Sequence, residues 1–282
     1  MAELRAWANE QIVDWRIRRE RRRAYKDRVL VASNHWDGSV QVFYHFLLGY
    51  FAPLCLWLQD SGERKIAVRD CGPMNSWFSM LEPHIDVQIV KPGVALHSIV
   101  GNRTRHHVVQ GLDYPTRHKQ RTLLAAREAM RSFLRPETAA SAPTLIIDRA
   151  SSDEYHSGPE SETEMSGARR RSVPNLQVLA EECLPAREYV LVDTAVLNPT
   201  QQVALAEKAT TLVAQHGAGL THMIWMEHGS RVLEIHPPLP GEAVDVFRNL
   251  ATALGHDYLR IAQESVHSAV NKDDFLSAYY AS

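Results

Sequence analysis

The stretch from Thr211 to Pro237, TLVAQHGAGLTHMIWMEHGSRVLEIHP, sets an apolar strand, a glycine-rich turn, a helix and a second strand in immediate succession. Thr211-Leu212-Val213-Ala214 reads as a short buried strand, and Leu220 to Met226 restarts at helical spacing. Gly217 and Gly219 permit a tight turn and a close approach of the backbone between them. Arg231 to Ile235 follows as another strand. The first N–H groups of such a helix lack intrahelical partners and carry the positive end of its dipole, so the turn suits an anion such as phosphate. The same turn also serves as a plain connection in many α/β chains.

The rest of the chain repeats this alternation. Strands are expected at Val29–Ala32, Lys65–Val68, Asp86–Val90, 106–109, 144–148 and 189–192, besides 211–214 and 231–235. Helices are expected over Val40–Leu58 and 117–134, from Asn175, from Thr200, and over 218–226 and 244–254. Strands alternating with helices predict a mostly parallel sheet covered on both faces. A chain of 282 residues exceeds the usual size of one core. The Ala-, Ser- and Pro-rich segment Glu137–Pro143 is the best linker. We therefore expect two Rossmann-like domains, residues 1–142 and 143–282. The acidic, Ser-rich segment Ser151–Gly167 reads as either a mobile lid or plain disorder.

Composition narrows the function classes. A formal net charge of −2 argues against a general nucleic-acid binder, and 45% hydrophobic with 23% charged residues is ordinary for a soluble enzyme. Cys55, Cys71 and Cys183 are widely spaced and odd in number, which fits reduced thiols better than disulfides. With no long apolar run and a polar N-terminus, the expectation is a cytoplasmic chain. The basic run Arg16–Arg28 reads as a solvated helix face, or as a peripheral contact with the inner face of an anionic membrane. RNA is a poorer partner for it, since only Tyr25 offers a stacking ring. Neither HExxH nor CxxC occurs, which argues against zinc.

Three blocks between Thr144 and Pro237 carry a family resemblance. Leu145-Ile146-Ile147-Asp148-Arg149 is an apolar strand ending in Arg, Arg171-Ser172-Val173-Pro174-Asn175 leads into a helix, and Gln215 to Glu234 joins His216-Gly217-Ala218-Gly219-Leu220 to a strand ending in Glu. In order and spacing they resemble the nucleotide-binding half of family 61 glycosyltransferases, inverting sugar transferases of GT-B fold. Val42-Phe43-Tyr44-His45-Phe46-Leu47-Leu48 is similar to the family's N-terminal block, with His45 on its His. His222 and Leu176 depart from the pattern, where the family has Asn and an acidic residue. The resemblance implies two Rossmann-like domains facing a cleft, the C-terminal one holding a nucleotide-sugar donor, with UDP as the expected nucleotide. The acceptor it implies is a glycan or lipid-linked glycan, in capsule, lipopolysaccharide or glycoprotein assembly.

Candidate roles follow from chemistry. Arg149 and Arg171 could neutralise a leaving diphosphate by paired, charge-assisted hydrogen bonds, or could form surface ion pairs. No Asp-x-Asp triplet is present to hold Mg or Mn, so no metal cofactor is expected. Asn175 suits a helix N-cap as well as a donor contact. His216 could donate to phosphate or cap its turn. Glu234 could bind a ribose hydroxyl or form a salt bridge. A displacement at the anomeric carbon needs a proton acceptor, and Asp37, in the loop after the first strand, is the first choice, with His35 and His45 behind it. Asp37 could equally be a turn residue beside Gly38, and His45 a hydrogen-bonded core histidine. An inactive nucleotide- or phosphosugar-binding protein is the alternative function. An oxidoreductase is disfavoured because no GxGxxG follows the first strand.

Overall fold

The computed structural model describes residues 27–36, 38–90, 105–134, 142–149, 170–239 and 245–281. Asp37, most of the Arg16–Arg28 run, most of the Glu137–Pro143 segment and the whole of Ser151–Gly167 lie outside them.

The protein is a mixed α/β structure with two all-parallel sheets. The first orders its strands β3-β2-β1-β4, from β1 (Val29–Asn34), β2 (Lys65–Arg69), β3 (Asp86–Val90) and β4 (Arg105–Gln110). The second runs β6-β5-β7-β8-β9, from β5 (Thr144–Asp148), β6 (Tyr189–Asp193), β7 (Thr211–Gln215), β8 (Arg231–His236) and β9 (Asp257–Ala262). Successive residues of β5 explain the burial of the second sheet on both faces. Leu145 and Ile147 enter one apolar cluster while Ile146 enters another. Val213 and Leu233 share the second cluster with Leu176, Leu179 and Phe275 from helices on that face. A residue period of two places alternate side chains on opposite faces, so a strand apolar throughout must be covered twice.

The long apolar helix of the first half begins at Phe43 rather than Val40. It runs as Phe43–Phe46, a π-helical stretch Leu47–Phe51, and Ala52–Ser61, and is here called α1. Pro53 lies at the start of the last stretch, where a missing N–H is tolerated. Gly62, at φ 66°, ends it in the left-handed region. Helix α2 (Gln120–Arg131) follows β4, and α3 (Leu176–Cys183), α4 (Pro199–Lys208), α5 (Val246–Leu254) and α6 (Lys272–Tyr279) belong to the second half. Asn198 and Gln201 form a reciprocal capping box at the start of α4.

Four elements were not expected from the sequence: 3-10 helices at Gly72–Met80 and Thr194–Val196, the edge strand β9, and α6. The expected helix at 218–226 is instead a 3-10 helix, Ala218–Trp225. Its end is held by α2, where Arg127 donates to the Met226 carbonyl (2.8 Å) and Arg131 to that of Trp225 (3.4 Å). One apolar cluster joins α1, the Gly72–Met80 helix, α2, Ala218–Trp225 and α5, so the two sheets share core residues. Phe43 of α1 lies 4.7 Å from the buried His222 ring.

Candidate functional site

Both sheets have one point where strand order reverses. In the second it lies between β5 and β7, which leave β6 on one side and β8 and β9 on the other. Ligands of open parallel sheets bind beyond the carboxyl ends of the strands at such a point. Arg149 follows β5 there and His216-Gly217 follows β7, so the structure brings two of the expected residues together. Arg149 Nη2 donates to the His216 carbonyl at 3.0 Å. Gly217 has φ 154°, and a Cβ on it would overlap the Arg149 guanidinium. Glycine here lets the arginine fold over the turn. A Cβ at Gly219 would come 3.1 Å from Ile147, so that glycine seats the turn on β5. Leu220 N–H is the first to find a carbonyl, that of Gly217, which leaves the Ala218 and Gly219 amides without an acceptor from within the turn.

Arg171 is carried to the same place by a buried amide cluster. Gln215 Nε2, at the end of β7, donates to the Ser172 carbonyl (3.0 Å) and to Gln263 Oε1 (2.7 Å), while Ser172 N–H donates to the Val266 carbonyl (2.8 Å). Arg171 is 5% exposed, and its Nε is buried with no hydrogen-bond partner among the described residues. Burial and the repulsion of Arg171 and Arg170 push Arg149 down to about 9. Burial and Arg170 push Arg171 to about 10, against the pull of Glu234. Both guanidinium groups still carry their charge near neutrality, so the depression measures crowded positive charge.

Glu234 is fully buried within β8, two residues before its end. His216 Nδ1 and the Tyr258 hydroxyl both donate to its carboxylate. Arg260 Nε donates to the Tyr258 oxygen at 2.8 Å and its Nη2 to Asp245 Oδ1 at 3.0 Å, extending the network outward. Both oxygens of Glu234 are thus taken by donors from within the chain, His216 and Tyr258. Burial holds His216 below its ordinary pKa, with Arg171 and Arg149 adding to the effect and Glu234 opposing it. The neutral ring donates from Nδ1, which leaves Nε2 as its open nitrogen.

Asn175 requires a correction. It stands at the N-cap of α3, but its side chain makes no cap bond. Instead Nδ2 donates to the Val270 carbonyl (2.8 Å) and Oδ1 accepts from Val270 N–H (3.0 Å), tying α3 to the segment before α6. That pairing occupies both ends of the amide.

His216, Glu234 and His236 have potential ligand atoms within 4.8 Å of one another. The grouping was not legible in the sequence, where the three residues fall outside any HExxH or CxxC spacing. Its chemistry fits a cation poorly. Both oxygens of Glu234 already take hydrogen bonds, His216 uses Nδ1 for one of them, and two guanidinium groups raise the local positive potential.

In the first sheet the reversal lies between β1 and β4. Asn34 pairs with Gln110 at the ends of these strands, and Gly111 N–H returns to the Asn34 carbonyl at 2.8 Å. Asp113, two residues on, is fully buried. Its Oδ1 accepts from Trp36 N–H at 2.9 Å and its Oδ2 from His45 Nδ1 at 2.9 Å. Gly49 and Gly111 make the room, since a Cβ on either would come within 2.9 Å or less of this carboxylate. His35 Nε2–H donates to the Gly38 carbonyl at 3.2 Å, and its buried Nδ1 has no partner among the described residues. His35 and His45 were legible in the sequence as candidates, and Asp113 was not. Its only signal was a Gly-x-Asp just beyond a weak strand, and strand order was needed to set it beside the β1 loop.

The two places adjoin through aromatic rings. Tyr44 lies 5.7 Å from Phe247 at the start of α5, and Phe247 lies 5.1 Å from His216. The Tyr44 hydroxyl donates to the Asp113 backbone carbonyl at 2.9 Å.

Against known proteins, the profile of the family described as Glycosyltransferase 61 matches residues 43–233, more than half of the chain's 282 residues. The match takes in His45, Asp113, Arg149, Arg171 and the glycine turn, and stops one residue before Glu234. No curated protein sequence matches the chain significantly.

Proposed function

The chain belongs to the glycosyltransferase 61 family, and on that premise we propose that it transfers a sugar, with inversion, from a UDP-linked donor to a glycan or lipid-linked glycan acceptor, without a metal ion. One observation carries the donor assignment. The guanidinium groups of buried Arg171 and half-buried Arg149, which repel one another, and the start of the Ala218–Trp225 helix converge at the strand-order reversal of the second sheet. A diphosphate supplies the charge that such a site lacks, and charge-assisted hydrogen bonds to guanidinium are among the strong ones. The same positive field takes over the part a divalent cation plays in other transferases when the diphosphate leaves.

In this reading residues 1–142 and 143–282 form two Rossmann-like units in a GT-B arrangement, the first holding the acceptor. The setting is a cytoplasmic one, with Arg16–Arg28 touching the membrane face where capsule, lipopolysaccharide or glycoprotein glycans are built. No helix among the described residues is long and apolar enough to cross a membrane.

A thermal-shift screen of UDP-, GDP-, CMP- and dTDP-sugars, followed by transfer to a glycan panel, tests the proposal. A ligand at 100 times its Kd adds about 2.7 kcal/mol of stability. We expect stabilisation by UDP-sugars and transfer of the sugar. Binding with neither hydrolysis nor transfer would mark the chain as an inactive nucleotide-sugar-binding protein, and no binding by any of them would refute the donor site.

A further inference from the structure

We propose that His45 is the catalytic base of the transfer and that Asp113 is its positioning residue. The inference rests on the glycosyl-transfer reading above, and its geometry stands independently of it. The Asp113 carboxylate is fully buried and has two donors, Trp36 N–H and His45 Nδ1, both at 2.9 Å. Burying a carboxylate is costly unless donors satisfy it. Here one donor is the backbone of the loop after β1, and the other is an imidazole. That bond places the ring proton on Nδ1 and leaves Nε2 as a lone pair. Among the described residues no donor or acceptor meets Nε2, and the His45 side chain keeps 16% of its surface exposed.

The backbone is built around this pair. The π-helical turn Leu47–Phe51 begins two residues after His45 and sets Gly49 against Asp113, while Ser33 of β1 donates to the Gly49 carbonyl. Such insertions in a helix concentrate at functional sites. Gly38, at φ 106°, passes so close to His45 that any Cβ there would overlap the ring at Nε2. Glycine at that position keeps the nitrogen uncovered. The other nearby histidines are engaged differently. His35 spends Nε2 on Gly38, and burial pushes His118 down to about 4 beside the Tyr44 hydroxyl.

In the step assigned here, Nε2 takes the proton of the acceptor hydroxyl. The hydroxyl oxygen forms a bond to the anomeric carbon as the bond from that carbon to the diphosphate oxygen breaks, and the electron pair leaves with the diphosphate. Asp113 remains ionised and holds the imidazolium that results, as the acid does in a serine-hydrolase triad.

The test combines two variants with one measurement on the unaltered protein. His45→Gln and Asp113→Asn should each lower turnover about 100-fold or more while UDP-sugar affinity changes little. The double variant should be no slower than His45→Gln alone, because Asp113 acts through the ring. Additive losses would make Asp113 merely structural and overturn its assigned role. Near-normal turnover in folded His45→Gln would overturn the base, most directly if Asp37→Asn abolished transfer instead. Ring nitrogen-15 shifts of His45 in the wild-type chain should show Nδ1 protonated and Nε2 bare near pH 7.5, and the opposite tautomer would refute the dyad even if the variants failed to fold. A wild-type chain that neither binds nor turns over any nucleotide-sugar would sink the glycosyl-transfer reading and the base role with it, while the shifts would still decide the dyad.

Discussion

At each strand-order reversal the fold places a histidine whose Nδ1 is held by a fully buried carboxylate, His45 on Asp113 after β1 and β4, and His216 on Glu234 beside β7 and β8. The surroundings differ. Arg149 and Arg171 crowd the second pair and depress His216. The first pair is completed by a backbone N–H, and among the described residues no guanidinium or ammonium bonds to Asp113. The same orienting device therefore serves opposite ends. On the proposed reading, the histidine beside two cations helps hold an anion, and the one without them offers its open nitrogen to a proton.

The largest expected effect comes from reversing the charge that separates the two places. Arg149→Ala should weaken UDP binding by roughly 1.5 to 3 kcal/mol, the range for hydrogen bonds to charged groups. Arg149→Glu should weaken it further, with the His45 ring shifts unchanged. Calorimetry that finds UDP affinity intact in a folded Arg149→Glu protein would break the comparison.

A second prediction concerns the joint between the halves. Burial pushes His222, which packs on Phe43, from 6.5 down to about 3. Above pH 6.5 the ring is neutral in both folded and unfolded chains. As pH falls from 6.5 toward 3 the unfolded chain takes up the proton first, so stability drops by about 1.4 kcal/mol per pH unit for this group. His222→Leu should flatten the loss in urea titrations between pH 7 and pH 5, and an unchanged slope would show that other groups carry it.

A smaller effect is expected at His216. A bound diphosphate should raise its depressed pKa, so binding takes up a proton and affinity for a UDP-sugar rises a few-fold as pH falls from 8 to 6. The UDP-sugar is the proper probe because its phosphates do not titrate in that range. Proton uptake measured in buffers of different ionisation enthalpy should vanish in His216→Gln, and uptake that survives there belongs to another group.

The smallest expected effect is none at all. Transfer should persist in EDTA, because the guanidinium pair and the helix start supply the positive field. Activity lost in EDTA and restored by Mn would make His216, Glu234 and His236 the first place to look for the ion.

Chain-local chemistry was legible where it repeats along the chain. Apolar runs bounded by polar residues marked eight of the nine strands of the described residues, and β5, 144–148, was located to the residue. The edge strand β9 was missed because its DYLRIA run is only partly buried and alternates weakly. Helix α6 did carry a start signal, Asn271 before two aspartates, whose side chain accepts from both Asp273 and Asp274 N–H. Asn175 misled, because a residue suited to cap a helix found a better two-point partner in the Val270 backbone, 95 residues away in sequence.

The sequence by itself determined the alternating α/β pattern, the glycine turn after β7 and the arginine beyond β5, because strand period, turn glycines and strand ends are properties of neighbouring residues. Tertiary structure alone decided that Asp113 meets His45, that Tyr258 and His216 share Glu234, and that Arg171 is driven in beside Arg149. Those contacts depend on which strands lie side by side, and strand order is set by the packing of both faces of each sheet at once.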